Sequence, residues 1–161
     1  MNVNRSKQEG FSIRAALPSD LEGVAALYPH LNPSDEPISR DLATARLDAI
    51  NQIPGSTVLL GLLHDELVAS CTLIVIPNLT NGGKPYGLIE NVVTHASYRG
   101  RGYGTRLLHA AVQAAWSADC YKVMLLTGSK KPSTLRFYES AGFEQSKTGF
   151  QMRRMAARHD A

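Results

Sequence analysis

Between Ser97 and Ala111 the chain reads SYRGRGYGTRLLHAA, with Gly100, Gly102 and Gly104 at every second position, Arg99 and Arg101 interleaved, and an amphipathic run directly after. A turn of that composition at the head of a helix presents backbone N–H groups and the positive end of the helix dipole, and the two together attract phosphate. The glycines let the backbone come close to a bulky anion, and the arginines add positive charge beside it. Two common phosphate loops do not fit this spacing. A P-loop ends in Gly-Lys-Ser/Thr, and a dinucleotide fingerprint runs GxGxxG with an acidic residue about 20 positions later. A tight turn without a ligand is the alternative that the glycines themselves leave open.

Other reactive residue types are thinly spread. Cys71 and Cys120 are isolated, with no CxxC and no Cys/His pair at ligand spacing, so neither a disulfide framework nor a metal site is expected. Both read as small buried apolar residues. The five histidines are scattered and take no role in this reading.

The elements that must hold such a turn come from patterning. A chain of 161 residues with 43% hydrophobic and 19% charged residues is one folded domain, expected over residues 11–156, with a flexible stretch at 1–10 and a tail at 157–161. No apolar run approaches the roughly 20 residues that span a bilayer, so no membrane partner is expected. The N-terminal MNVNRSKQEG has no hydrophobic segment after its basic residues, which points to a cytoplasmic location. The net charge of +3 is mild, with no basic run interleaved with aromatics. An anionic small ligand fits it at least as well as nucleic acid, and no nucleic-acid partner is expected.

FSIRAAL from Phe11 alternates as a strand, and PSDLEGVAALYPHL opens a helix at Ser19 or Asp20 with Leu21, Val24, Ala25 and Tyr28 on one face. A second helix fits SRDLATARLDAIN. TVLLGLLHDELVASCTLIVIP then gives two apolar runs split by a polar turn at HDE, an antiparallel hairpin. LIENVVTHA is a strand, residues 102–118 a helix, YKVMLLTGS a strand and STLRFYESAG a short helix ended by Gly142. FEQSKTGFQMRRM closes the chain as a final hairpin. Strand, helix, strand after the first hairpin implies a parallel crossover, so the sheet is mixed.

With the strand before it, the helix after it and FYESAGFE some 30 residues on, the turn resembles the Arg/Gln-x-x-Gly-x-Gly/Ala signature of the GNAT superfamily of N-acetyltransferases, matched by Arg99, Gly102 and Gly104. Within it, LIENVVTHASYRGRGYGTRLL, CYKVMLL, RFYESAGF and GFQMRR are most similar to glucosamine-6-phosphate N-acetyltransferases. The resemblance runs from Ile13 to about Arg154. It implies an α/β fold with a mixed, mostly antiparallel sheet of six to seven strands, splayed parallel central strands and about four helices. It also implies acetyl-CoA as acetyl donor, with a small-molecule primary amine as acceptor, possible amino sugars or amino sugar phosphates included, and a homodimer through the C-terminal strands.

Carried residue by residue, the resemblance puts the pyrophosphate of acetyl-CoA on the amides of Arg99, Gly100, Arg101, Gly102, Tyr103, Gly104 and Thr105. Val92, Val93 and Thr94 would pair with the pantetheine arm as a neighbouring strand does, in a slot completed by Met124 to Thr127. Lys131, Ser133, Arg136 and Phe137 complete the implied cofactor site. Tyr138 would protonate the departing thiolate; a core aromatic beside Phe137 is the alternative. A thioester needs mainly a neutral amine held in line with its carbonyl, an oxyanion donor near the Val93 amide, and a base. Glu90 is the candidate base, against a solvated or ion-paired carboxylate. Tyr28, Asn91 and Thr127 are candidate acceptor contacts, in a pocket drawn from residues 28–46, 78–86 and the last hairpin. Two departures stand out. Lys131 replaces the common family asparagine seven residues before the tyrosine, and Asn91 follows Glu90 where sugar-phosphate acetyltransferases usually carry Asp. A CoA-responsive regulatory module without turnover and a nucleic-acid-binding domain built on SYRGRGYGTR are the competing functions.

Overall fold

The computed structural model describes residues 10–155; the expected tail at 157–161 and all but the last residue of the expected N-terminal stretch lie outside them. Five strands form one sheet in chain order: β1 (Phe11–Ala15), β2 (Thr57–Leu63), β3 (Glu66–Ile76), β4 (Tyr86–Thr94) and β5 (Val123–Leu125). The first four pair antiparallel, and β5 runs parallel to β4. Helices α1 (Leu21–Leu27), α2 (Arg40–Asn51), α3 (Tyr103–Ser117) and α4 (Pro132–Ser140) complete the domain.

The hairpin between β2 and β3 turns on His64 and Asp65, both left-handed (φ 48° and 66°). Two such residues match the right-handed twist of the flanking strands. β2 is buried on both faces, which is why TVLLGLL reads as continuous apolar sequence instead of alternating. One face packs Leu59, Cys71, Leu73 and Ile89 against Leu107, Leu108, Ala111 and Ala115 of α3. The other packs Val58, Leu60 and Leu62 against Val24 of α1 and Leu47 of α2. Ser39 caps α2, its hydroxyl accepting from the Leu42 N–H at 3.3 Å. Asp20 does not cap α1 through its side chain; its carboxylate accepts from the Leu17 N–H at 2.7 Å and from Arg14.

Two expectations need correction. The sheet has five strands among the described residues, not six to seven, because residues 143–155 form no strand and no hairpin. Phe150 and Met152 stand 96% and 100% exposed there, and a two-stranded ribbon with nothing to pack on is marginal. β5 is also shorter than YKVMLLTGS suggests. Its pairing with β4 ends at Ile89–Leu125, and Thr127 lies in the following loop.

Candidate active site

The two parallel strands part because β4 changes course. Thr72 pairs with Glu90 and Ser70 with Val93, so Cys71 alone faces both Asn91 and Val92, a bulge in β4. Asn91 sits there at φ 52°, a left-handed conformation that asparagine tolerates better than most residues. Beyond the bulge, β4 keeps its bonds to β3 through Val93 and Thr94, while its other edge has no strand partner among the described residues. An open edge of this kind accepts an extended ligand through main-chain hydrogen bonds. Val93 is buried and Val92 packs on the core, so what these residues offer a ligand is backbone.

The glycine turn follows. Gly102, the residue before α3, has φ 83°, and a Cβ added to it or to Gly100 would meet no atom within 4 Å. The turn therefore presents its backbone outward into open space, the shape a phosphate cradle needs. α3 is 15 residues long, and the amides that open it, Gly104 and Thr105 among them, have no carbonyl a turn earlier to bond to. Gly104 has a separate reason to lack a side chain: a Cβ there would lie 3.1 Å from both the Phe137 ring and Thr94 Oγ1. That close approach brings β4, α3 and α4 together beside the open edge.

The two arginines divide. Arg101 lies over the Tyr98 ring, 5.3 Å from its centroid. Arg99 is turned away from the open face of the turn: its Nε donates to the Thr94 carbonyl at 3.1 Å and its Nη2 to the His30 carbonyl at 2.6 Å. Lys131 is the residue before α4 and, with Ser133 and Arg136, is exposed, while Phe137 is half-buried.

Tyr138 is half-buried, its ring 4.9 Å from Phe137 and 6.5 Å edge-on from Phe143. Burial pushes its phenol pKa up, and the nearby Cys71 thiol and Glu90 carboxylate push it further. The hydroxyl is thereby held protonated, the state required of a general acid. Tyr28 is shifted upward chiefly by burial as well, with Cys71 and Asp35 adding and the Thr72 hydroxyl opposing. Glu90 is exposed on β4 opposite Thr72. Tyr28, Glu90 and Tyr138, far apart in sequence, thus converge around Cys71 and Thr72 at the bulge. The Cys71 thiol is itself pushed up to about 12 by burial, so it is no thiolate nucleophile at neutral pH. Thr127 accepts from the Ser129 N–H and is exposed. A cavity of about 620 Å³ lined by Ile53, Val75, Pro77, Ala114 and Ala118 lies at the far end of α3 and takes no part in this constellation.

A bulged strand opening beside a glycine turn at a helix head is joined by a family-wide match: residues 24–143 match the acetyltransferase (GNAT) family. The chain belongs to that family. A solved structure named "Putative acetyltransferase from Agrobacterium tumefaciens str. C58" is 48% identical over 89% of this chain and 99% of its own, with a TM-score of 0.83. The glucosamine 6-phosphate N-acetyltransferase of Trypanosoma brucei brucei is 42% identical over 78 residues, 48% of this chain. That stretch spans 51%, about half, of the Trypanosoma protein's length. Glucosamine 6-phosphate N-acetyltransferase 1 of Oryza sativa is 29% identical over 84% of this chain and 82% of its own. This GNAT acetyltransferase has the mixed α/β fold of its relatives, and transfer of an acetyl group from acetyl-CoA to an amine is the chemistry general to the family. Among the described residues, no helix is long and apolar enough to cross a membrane.

Proposed function

We propose that this GNAT acetyltransferase moves the acetyl group of acetyl-CoA directly to the primary amine of a small amino sugar or amino sugar phosphate. The observation that carries the reading is the outward-facing glycine turn at the head of α3 beside the unpaired edge of β4. In this reading the amides from Gly100 to Thr105 hold the pyrophosphate, and Val92, Val93 and Thr94 hold the pantetheine arm through backbone. Lys131, Ser133, Arg136 and Phe137 flank the cofactor on α4, with Lys131 offering charge to a phosphate.

Acetyl-CoA supplies the activated acyl group. Glu90 takes the ammonium proton, directly or through water, and the free amine attacks the thioester carbonyl. A main-chain N–H near Val93, on the open side of β4, stabilises the oxyanion; Tyr138 gives its proton to the sulfur as the C–S bond breaks, and the proton shed by the acylated nitrogen restores the phenol. Tyr28, Asn91 and Thr127 border the acceptor. The Trypanosoma and rice relatives, both named glucosamine 6-phosphate N-acetyltransferases, favour an amino sugar phosphate. The test is a panel of amino sugars, their phosphates, polyamines, amino acids and aminoglycosides assayed for CoA release. Turnover selective for amino sugars supports the reading; acetyl-CoA binding with no transfer to any amine identifies a CoA-responsive module instead.

The reading includes a cytoplasmic enzyme and a homodimer. Exposed Phe150, Met152 and Met155 leave apolar surface on the C-terminal segment for a second copy to cover. Sedimentation at micromolar concentration should give a dimer, and a monomer with and without CoA would remove that part.

A further inference from the structure

The connection from β4 to α3 is tied to the turn that follows α1 by contacts that no phosphate role requires. Tyr28 to His30 form a short 3₁₀ turn after α1, and Ala96 to Tyr98 a second one after β4. The Arg99 guanidinium bridges them, donating to the His30 carbonyl on one side and the Thr94 carbonyl on the other. The His30 and His95 rings lie against each other, centroids 3.9 Å apart and tilted by 42°, and His30 Nδ1 accepts from the Ala96 N–H at 3.3 Å. His95 in turn accepts at Nδ1 from the Ser97 N–H at 3.2 Å. Behind His95, Tyr98 packs edge-on and donates to Glu66 of β3 at 2.7 Å, with the Arg101 guanidinium 5.3 Å from the Tyr98 ring centroid.

We propose that Arg99, His30 and His95 form a clamp that couples the acceptor-side turn carrying Tyr28 to the glycine turn, with Arg99 a positioning residue and not a phosphate ligand. The placement of the two turns within the site rests on the acetyltransferase reading above. Through the clamp, a ligand seated on the glycine turn steadies residues 28–32, which it does not touch.

The His30 side of the clamp is built for a neutral imidazole. Accepting at Nδ1 requires His30 to carry its proton on Nε2, and a second proton would remove the acceptor and place a cation against Arg99. The titratable and charged groups that act on His30 are His95 and Arg99; Tyr98, Glu66 and Arg101 lie one layer behind. Burial lowers the His30 pKa first, and His95 and Arg99 lower it further. A histidine lowered in the folded state contributes stability that is present above its ordinary value near 6.5 and lost as pH falls through the lowered one. The clamp therefore loosens on acidification, below the range in which it is closed.

Amide hydrogen exchange on the full chain, corrected for intrinsic rates, reads this out with and without CoA. In wild type, CoA should slow exchange at residues 28–32 as well as in the glycine turn. Arg99→Met should speed exchange at 28–32 and at Ala96 about tenfold, the low end of what a charge-assisted hydrogen bond carries. It should also abolish the slowing by CoA at 28–32 while the CoA Kd by calorimetry moves less than about threefold. His30→Gln, which keeps an acceptor but cannot titrate, should erase the acid-dependent loss of protection at Ala96. The proposal is overturned if Arg99→Met weakens CoA binding tenfold or more and leaves exchange at 28–32 unchanged, or if both variants transmit the CoA effect as wild type does. Should wild type fail to bind CoA, the acetyltransferase site assignment falls, while the ligand-free exchange and the pH step still decide the clamp. Should Arg99→Met not fold, the His30→Gln pH comparison decides it.

Discussion

Tyr138→Phe separates chemistry from packing at one atom. The phenylalanine ring keeps its neighbours Phe137 and Phe143, and no described residue hydrogen-bonds the hydroxyl, so folding stability should change by less than about 0.5 kcal/mol. What is lost is the proton for the departing sulfur. General-acid catalysis is worth about 100- to 10,000-fold, or roughly 2.7 to 5.4 kcal/mol of barrier at about 1.36 kcal/mol per decade. Turnover with the best amine of the panel should fall within that range, with acetyl-CoA affinity nearly unchanged. Because Tyr138 is shifted upward from 10.0, it keeps its proton below that raised value, and the wild-type rate contributed by it should fade only as pH climbs through it. Single-turnover kinetics must accompany the steady state, since slow product release hides a chemical defect. Turnover of the variant within about threefold of wild type in single-turnover conditions would refute the general-acid role. A loss that tracked the unfolding midpoint would return Tyr138 to the status of a core aromatic.

Three further outcomes follow from the geometry. Gly102→Val, which puts a β-branched residue at φ 83° into the open face of the turn, should weaken acetyl-CoA binding at least tenfold by calorimetry in a protein that still folds. Leu107→Ala, at a fully buried position between α3 and the sheet, should lower unfolding free energy by about 2–5 kcal/mol in urea titrations. The Arg14 guanidinium hydrogen bond, with the Leu17 N–H adding, holds the Asp20 carboxyl below 3.8. Its stabilisation is present above about pH 4 and lost as pH falls through the lowered value, so Asp20→Asn should flatten the acid limb of stability below about pH 4.

Local rules carried much of the architecture. The β2–β3 hairpin was legible because a polar His-Asp pair splits two apolar runs, and α3 because glycines precede a periodic apolar face. The glycine turn was legible as the head of α3 for the same reason, and the family match spans residues 24–143. Tertiary arrangement was not written locally. Nothing in GLIENVVT marks Asn91 as left-handed, since asparagine is common in strands' neighbours and turns alike; the bulge appears only when β3 is laid beside β4. The alternation in FQMRRM predicts a strand, yet a strand needs a partner, and residues 143–155 have none among the described residues. Arg99 read as charge for an anion, but its guanidinium meets the carbonyls of His30 and Thr94, the first of them 69 residues away. His30 and His95, apart in sequence and assigned nothing, meet with ring centroids 3.9 Å apart.

The most direct measurement of the central claim is mass spectrometry of glucosamine 6-phosphate incubated with acetyl-CoA and the purified protein, alongside CoA release and the Gly102→Val variant. The account predicts a product one acetyl group heavier, formed in step with free CoA, and strongly reduced by the variant. Acetyl-CoA left intact with every amine of the panel, by a folded protein that binds it, would contradict the account.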